Sequence, residues 1–164
     1  MANASRPPAA PSRPSTPSSG RSADSSPAPP LKSPASSPAR EQLYRANILD
    51  HYKRPHHWKK LDRADFSRVE SNPTCGDEIG IQLKVDAKGK IIDVGLSGSG
   101  CAISTASASM LSDRLAGLSL EQASKISKES VLADLGIDPG PTRMRCARLA
   151  LEGLRNALGA GKRE

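Results

Sequence analysis

The three cysteines of the chain, Cys75, Cys101 and Cys146, are each predicted to lie at the end of a secondary-structure element. Cys75 sits in a glycine turn, within the segment SNPTCGDEIG (71–80), two residues before Asp77. Cys101 lies at the predicted start of a helix, and Cys146 is expected in the first turns of the final helix. Because a helix N-terminus carries free N–H groups and partial positive charge, it lowers the pKa of a nearby thiol. The thiolate is the species that binds metal or attacks sulfur.

The residues around two of these cysteines are expected to increase that reactivity. The three arginines of the segment RMRCAR (143–148) surround Cys146, and their positive charge should lower the pKa of its thiol further. The two glycines of the segment SGSG (97–100), at positions 98 and 100, should let a bulky group approach the backbone beside Cys101.

Three cysteines and one aspartate supply four ligands, which fits a tetrahedral Zn²⁺ ion or an iron–sulfur cluster. Spacing alone is weak support, because the chain has no CxxC pair and its intervals of 26 and 45 residues match no zinc-finger pattern. On the residues alone, ordinary reduced thiols are the favoured interpretation of the cysteines. Asp77 can equally bond the backbone of its own turn. The three histidines, His51, His56 and His57, are expected to have solvated or packing roles.

The elements that position these residues follow from the hydrophobic pattern. Residues 41–53 predict a helix that Pro55 ends, and 65–70 predict a short strand. Strict alternation over 79–86 and again over 91–98, where Ile92, Val94 and Leu96 should face the core, predicts a hairpin closed by AKGK. A helix is expected over 102–116, and a second helix runs in one piece from Ser119 to about 135. IDPGPT (137–142) is expected to be a loop, and a final helix runs from about 143 to the glycines at 159 and 161. This order predicts an α+β fold with a small three-stranded antiparallel sheet packed against helices on one face.

The first 40 residues differ in composition from the rest of the chain. They hold ten of the fourteen prolines, are otherwise mainly Ser and Ala, and supply about four of the seven net positive charges. Such a segment cannot bury enough apolar surface to fold, so we expect a disordered basic arm over 1–40, one domain over 41–159 and a tail over 160–164. The arm has no aromatic residue and its charges are well spaced, which argues against nucleic-acid binding.

The composition of residues 1–40 also indicates the cellular compartment. Its prolines are incompatible with the amphipathic helix of a mitochondrial signal, and no apolar run is long enough for a secretory signal or a membrane span. A cytoplasmic protein without membrane association is therefore expected. The reducing cytoplasm would leave the cysteines as thiols.

Three segments in order, NPTCGDEI, GSGCAISTASASML and MRCARLAL, resemble the U-type iron–sulfur cluster scaffold family, which comprises IscU, SufU and the N-terminal domain of NifU. The leading helix, LYRANILDHYKRP, is similar to the N-terminal segment of that family. The likeness runs from about residue 43 to 158. It implies that Cys75, Asp77, Cys101 and Cys146 converge at one solvent-facing end of the fold.

The resemblance implies a function as well as a fold. The four matching residues would bind iron and a transient iron–sulfur cluster, expected to be [2Fe–2S], or Zn²⁺. A cysteine desulfurase would supply persulfide sulfur, and the finished cluster would pass to apo iron–sulfur proteins. Such a scaffold is primarily not an enzyme, and a monomer or weak dimer is expected. The alternative is a zinc-dependent sulfurtransferase in which Cys101 or Cys146, with Cys101 preferred, accepts the sulfur. A third reading is a structural zinc module whose basic arm binds other proteins.

The chain departs from the family pattern at two places. Arg145 stands where the Isc branch has a histidine before the third cysteine, and PGPTRM replaces its chaperone-recognition motif. The basic residue and the ASASML run resemble the SufU branch of the SUF system. The 45-residue interval between Cys101 and Cys146, however, is too short for the insertion usual in that branch. The chain is therefore expected to be SufU-like without the insertion.

Overall fold

The structure, a computed structural model, describes residues 37–159. Strands and helices follow in the order α1 (Pro38–Lys53), β1 (Phe66–Asn72), β2 (Asp77–Val85), β3 (Ile91–Ser99), α2 (Ala102–Leu115), α3 (Leu120–Ser124), α4 (Lys128–Leu135) and α5 (Gly140–Gly159). Most of the predicted arm and all of the predicted tail lie outside the described residues. The last three positions assigned to the arm, 38–40, form the first turn of α1.

The three strands form one antiparallel sheet in the order β1-β2-β3, and α2 and α5 pack against it. The inward-facing side chains of β2, which include Ile79, Ile81 and Leu83, are almost completely buried. They meet Leu111 of α2 and Leu154 of α5 in the main core cluster. Helix α1 lies on α2 rather than on the sheet. The predicted α+β class and three-stranded sheet are therefore confirmed.

The alternation predicted for β3 is wrong at its first residues. Ile91 is buried at 1% exposure and Ile92 is exposed at 55%, the reverse of the expectation. The cause is an irregularity in the β2–β3 pairing: Lys84 pairs with Asp93 but Val85 pairs with Ile91, so Ile92 is left over as a bulge. An extra residue in one strand interrupts its alternation. The residue before the bulge therefore faces the opposite side of the sheet from the one that a continuous alternation predicts.

The helices also differ from the prediction in two places. The single helix expected from Ser119 is two short helices, because Ser127 caps a new helix with its side chain accepting from the N–H of Ser130. The predicted Ser119–Gln122 capping box is present. Helix α5 starts at Gly140, inside the segment expected to be a loop, and therefore about three residues early. Cys146 lies in the second turn of this helix, and therefore within its first turns, as expected.

Helix α2 matches its predicted range and ends as expected before Gly117, whose φ is +87°. Eleven of its fourteen residues are buried, including four serines and a threonine, so it is enclosed on nearly every side. Small residues permit this close packing between α1, α5 and the sheet. The helix therefore fixes the position of any group at its N-terminus.

Candidate metal centre

The loop that joins β1 to β2, residues 73–76, carries Cys75 at one end of the sheet. Asn72 and Asp77 form the last cross-strand pair before it. The N–H groups of Cys75 and Gly76 both donate to the carbonyl of Asn72, at 3.2 and 2.8 Å. Gly76 closes the turn with φ +72°, a left-handed conformation that favours glycine. Cys75 is thereby exposed while Asp77, two residues on, is buried at 5% exposure.

Three of the four predicted ligands, Cys75, Asp77 and Cys146, come together at this end of the sheet, and the sulfur of Cys101 is not among the grouped atoms. The Sγ atoms of Cys75 and Cys146 are 2.9 Å apart. A carboxylate oxygen of Asp77 and these two sulfurs all lie within 4.8 Å of one another. Cys101, the N-cap residue of α2, adjoins this group because its backbone N–H donates to Asp77 Oδ1 at 3.1 Å. The hairpin, the start of α2 and the second turn of α5 therefore share one site.

Asn72 is a residue of this site that is not among the ligands expected from the sequence. Its side chain is buried at 1% exposure, and its Nδ2 donates to the sulfur of Cys75 at 3.1 Å and to that of Cys146 at 3.5 Å. Its Oδ1 accepts from the N–H of Thr74 at 3.2 Å. Hydrogen bonds from N–H groups stabilise negative charge on sulfur. The NPTC segment that places Asn72 three residues before Cys75 was the available signal.

The Asp77 carboxyl is held as a carboxylate. Burial acts to raise its pKa, but the polar groups of Ser104, Cys101 and Cys146 beside it favour the ionised form, and its pKa lies below the ordinary value. Oδ1 accepts the Cys101 N–H, whereas Oδ2 is buried and has no hydrogen-bond partner among the described residues. A buried carboxylate oxygen without a partner is costly. A cation bound beside the two sulfurs would supply that partner.

The predicted lowering of the pKa of the Cys146 thiol is wrong. Its side chain is 1% exposed and belongs to a buried cluster with Ile48, Ile103 and Leu135. Burial raises the pKa of its thiol, and the neighbouring Cys75 and Asp77 raise it further. The first two arginines of RMRCAR are exposed and do not offset these effects. Without a cation, Cys146 is therefore a protonated thiol.

The two glycines before Cys101 have a packing role that the sequence does not indicate. Gly98 has φ +111°, and a side chain there would overlap the backbone carbonyl of Glu78 on the paired strand. A side chain at Gly100 would overlap the Ser104 hydroxyl and come within 3.4 Å of Asp77. On the side where a Cβ would stand, both glycines meet other residues of the protein, and their small size allows β2 and Asp77 to approach the start of α2. Gly98 is exposed on its other side, so the access expected there for a bulky group stays a prediction.

The donor set fits a soft or borderline metal. Three sulfurs and one carboxylate oxygen are the ligands that zinc and iron–sulfur clusters accept in proteins. A bound cation would lower the pKa of the Cys146 thiol, because a thiol that coordinates a metal ion loses its proton. The exposures rank the sulfurs in their access to solvent, from exposed Cys75 through half-buried Cys101 to buried Cys146. The site is therefore open on the hairpin side and closed on the α5 side.

An α+β domain that gathers three thiols and an unpartnered carboxylate at one end of its sheet is a domain built to coordinate a metal or a cluster. The chain belongs to the family of NifU-like N-terminal domains, which it matches over residues 43–163. This assignment agrees with the resemblance to U-type scaffolds and confirms it. Among residues 37–159, no helix combines the length and apolar character needed to cross a membrane.

Two relatives and one solved structure illustrate the family. The iron–sulfur cluster assembly scaffold protein IscU of Streptococcus pyogenes serotype M1 is 38% identical, with 71% of this chain and 82% of the relative covered. The zinc-dependent sulfurtransferase SufU of Bacillus subtilis (strain 168) is 35% identical, with 72% and 90% covered. A Fervidobacterium islandicum AW-1 structure, described as a scaffold for the SUF system, is 25% identical with a TM-score of 0.59 and covers 72% of this chain and 98% of its own.

Proposed function

We propose that the protein is an iron–sulfur cluster assembly scaffold that binds iron and a transient cluster and passes the cluster to apo-proteins. The observation that carries this proposal is the buried, unpartnered Oδ2 of Asp77 beside the sulfurs of Cys75 and Cys146. Cys101 would complete the ligand set from the start of α2. The scaffold name of the Streptococcus pyogenes relative supports the same function.

In this function the cluster is cargo, of the [2Fe–2S] type, and the site must release what it binds. Asp77 gives the site one oxygen donor in place of a fourth thiolate, so iron is held less firmly there. The open side at Cys75 gives a recipient protein access to the cargo. Asn72, with its two N–H···S contacts, stabilises the sulfurs while the site is loaded. A cysteine desulfurase is the proposed source of sulfur, and apo iron–sulfur proteins are the proposed recipients.

A second function is favoured by one observation, the unequal exposure of the thiols. In a zinc-dependent sulfur relay, a thiolate of this chain attacks the terminal sulfur of a desulfurase persulfide. A new S–S bond forms on this chain as the S–S bond of the desulfurase breaks, and the desulfurase cysteine leaves as a thiolate. The sulfurtransferase name of the Bacillus subtilis relative supports this function.

The acceptor in that relay is expected to be accessible. Exposure favours Cys75, then Cys101, and disfavours Cys146, although Cys101 and Cys146 were the acceptors expected from sequence. Trapping the persulfide after reaction with a desulfurase and mapping it by mass spectrometry decides among them. A persulfide found first on Cys146 would mean that α5 and the hairpin separate during the reaction.

One experiment separates the two functions. The chain is purified without oxygen, its zinc and iron are measured, and its effect on the turnover of a cysteine desulfurase is tested. Tightly bound zinc together with stimulation of the desulfurase supports the relay. A cluster that forms on the chain after addition of iron and sulfide, and that is lost in the Cys75→Ser variant, supports the scaffold. Neither metal nor cluster in the folded chain would contradict both.

A further inference from the structure

All three histidines of the chain meet where α1 contacts α2, away from the cysteine site. His51 lies in the last turn of α1 and is buried, while His56 and His57 follow in the loop. His56 Nδ1 lies 2.7 Å from Asp113 Oδ2, and His57 Nε2 lies 3.4 Å from Asp113 Oδ1. The rings of His51 and His56 have their centroids 4.6 Å apart. The burial of His51 agrees with the packing role expected for it, and the convergence of the three histidines on Asp113 adds a feature that the sequence does not indicate.

The buried hydroxyl of Ser109, on α2, positions two of the histidines. It lies 2.8 Å from His51 Nδ1 and accepts the backbone N–H of His56 at 2.8 Å. When Nδ1 of His51 carries the proton and donates to this hydroxyl, Nε2 has a free lone pair. Histidines that bind metals commonly donate their other ring N–H to such a partner, which fixes the tautomer and the orientation of the ring. Ser109 therefore prepares His51 as a ligand.

We propose that His51, His56 and Asp113 form a second metal site, for a divalent first-row transition ion of the Zn²⁺ or Co²⁺ type. One nitrogen of each histidine and one oxygen of Asp113 already lie within 4.8 Å of one another. Imidazole nitrogen and carboxylate oxygen are donors that such ions accept. His57 contacts the other carboxylate oxygen of Asp113 and is the candidate for a fourth ligand.

The new site is separate from the cysteine site in both position and donor type. Asp113 follows Cys101 by twelve residues along α2, which corresponds to roughly 18 Å of helix rise. The cysteine site offers three sulfurs, whereas this cluster offers only nitrogen and oxygen. The two sites should therefore bind an ion independently, and a spectroscopic probe can tell them apart.

Binding an ion here requires a modest rearrangement. With metal–ligand bonds of about 2.0–2.2 Å, ligand atoms in a tetrahedral site are roughly 3.4 Å apart. His56 and Asp113 must therefore separate slightly from their present contact, and His51 must approach them. The side chains of His56 and Asp113 are 48% and 41% exposed and can adjust, while His51 is held by Ser109. The ion would tie the end of α1 and its following loop to α2.

Titration with Co²⁺ tests the proposal on the full chain, without a polyhistidine tag and in the absence of oxygen. Thiolate ligands give Co²⁺ intense charge-transfer absorption, and nitrogen or oxygen ligands do not. We expect two equivalents to bind, one with charge-transfer absorption and one without it. Circular dichroism confirms that each variant is folded. A wild-type chain that binds only one equivalent, with charge-transfer absorption, would overturn the proposal.

Variants assign the second equivalent to the cluster. His56→Ala and Asp113→Ala should each lose the equivalent without charge-transfer absorption and keep the other. Asp93→Ala is the matched control, because it also removes a partly exposed carboxylate from an ion pair, here with Lys59, and it should keep both equivalents. If His56→Ala and Asp113→Ala still bind two equivalents, the second ion is bound elsewhere and the proposal is wrong. None of these variants alters the cysteine ligands.

Discussion

Replacing Asn72 by alanine should weaken metal binding at the cysteine site without removing any ligand. The side-chain amide donates to two sulfurs, at 3.1 Å to Cys75 and at 3.5 Å to Cys146. Alanine has no donor, so both sulfurs would carry their negative charge without this support. The variant therefore isolates the contribution of the hydrogen bonds from that of the ligands themselves.

The size of the effect follows from the two contacts. A hydrogen bond to a charged group contributes about 1.5–3 kcal/mol, and the longer of these two contacts contributes less than the shorter one. Taking about 2 kcal/mol for the pair gives a roughly 30-fold increase in the Kd for Zn²⁺, since each 1.4 kcal/mol is a factor of about ten. This estimate lies within the roughly 10–100-fold range typical of groups that support metal ligands. The free energy of unfolding should also fall, by about 1–3 kcal/mol, because Asn72 is buried.

The assay is competition for Zn²⁺ against a chromophoric chelator, after circular dichroism confirms that the variant is folded. Asn156→Ala is the matched control, because it also removes an asparagine side-chain amide. The Asn156 amide donates to Glu70 at 2.6 Å and lies about 15 Å along α5 from Cys146. The control should bind Zn²⁺ as the wild type does. A folded Asn72→Ala chain with a Kd within threefold of wild type would refute the role given to Asn72.

Three further predictions follow from other contacts. Asp77→Ala should lengthen the lifetime of a reconstituted cluster several-fold, measured by the decay of the cluster's visible absorption. Faster loss of the cluster would contradict the role of Asp77 in release. Gly98→Ala should lower the free energy of unfolding by about 2–4 kcal/mol in urea, because φ is +111° and the new Cβ overlaps a β2 carbonyl, whereas Gly89→Ala, in open space, should cost only about 1 kcal/mol. The hydrogen bond from Asn156 lowers the pKa of Glu70 below its ordinary value of 4.5. The stabilisation that this bond gives the folded chain is therefore present above pH 4.5 and is lost as the pH falls through the pKa of the folded state. Asn156→Ala should therefore be about 1 kcal/mol less stable than wild type at pH 7, and this difference should shrink as the pH falls through the folded pKa of Glu70; a difference that does not change with pH would contradict this.

The local sequence predicts most of the elements, because periodicity and caps act over a few residues. The alternation of Ile79, Ile81 and Leu83 gives β2, and Gly117 gives the end of α2. The bulge at Ile92 is not predictable in this way, because it arises from the pairing of β3 with β2 and not from β3 alone. Likewise, IDPGPT has turn residues throughout, yet α5 already begins within it, at Gly140.

The candidate site was predicted in its residues but not in its chemistry. The motifs predict Cys75, Asp77, Cys101 and Cys146. The structure gathers the ligand atoms of Cys75, Asp77 and Cys146 at one end of the sheet and places the backbone N–H of Cys101 against Asp77. The proton affinity of Cys146 could not be predicted, because it depends on burial by residues distant in sequence, such as Ile48 and Leu135. The same holds for the histidine cluster, in which residues 51–57 meet Ser109 and Asp113 only through the packing of α1 on α2.

The most direct test of the scaffold function is cluster transfer in the presence of an iron chelator. A cluster is assembled on the full chain without oxygen, an apo iron–sulfur protein is added with excess chelator, and the spectrum of the recipient is followed over time. The account predicts that the recipient gains its cluster despite the chelator, and that no transfer occurs from a Cys75→Ser chain treated in the same way. Iron captured by the chelator while the recipient stays empty would contradict the account.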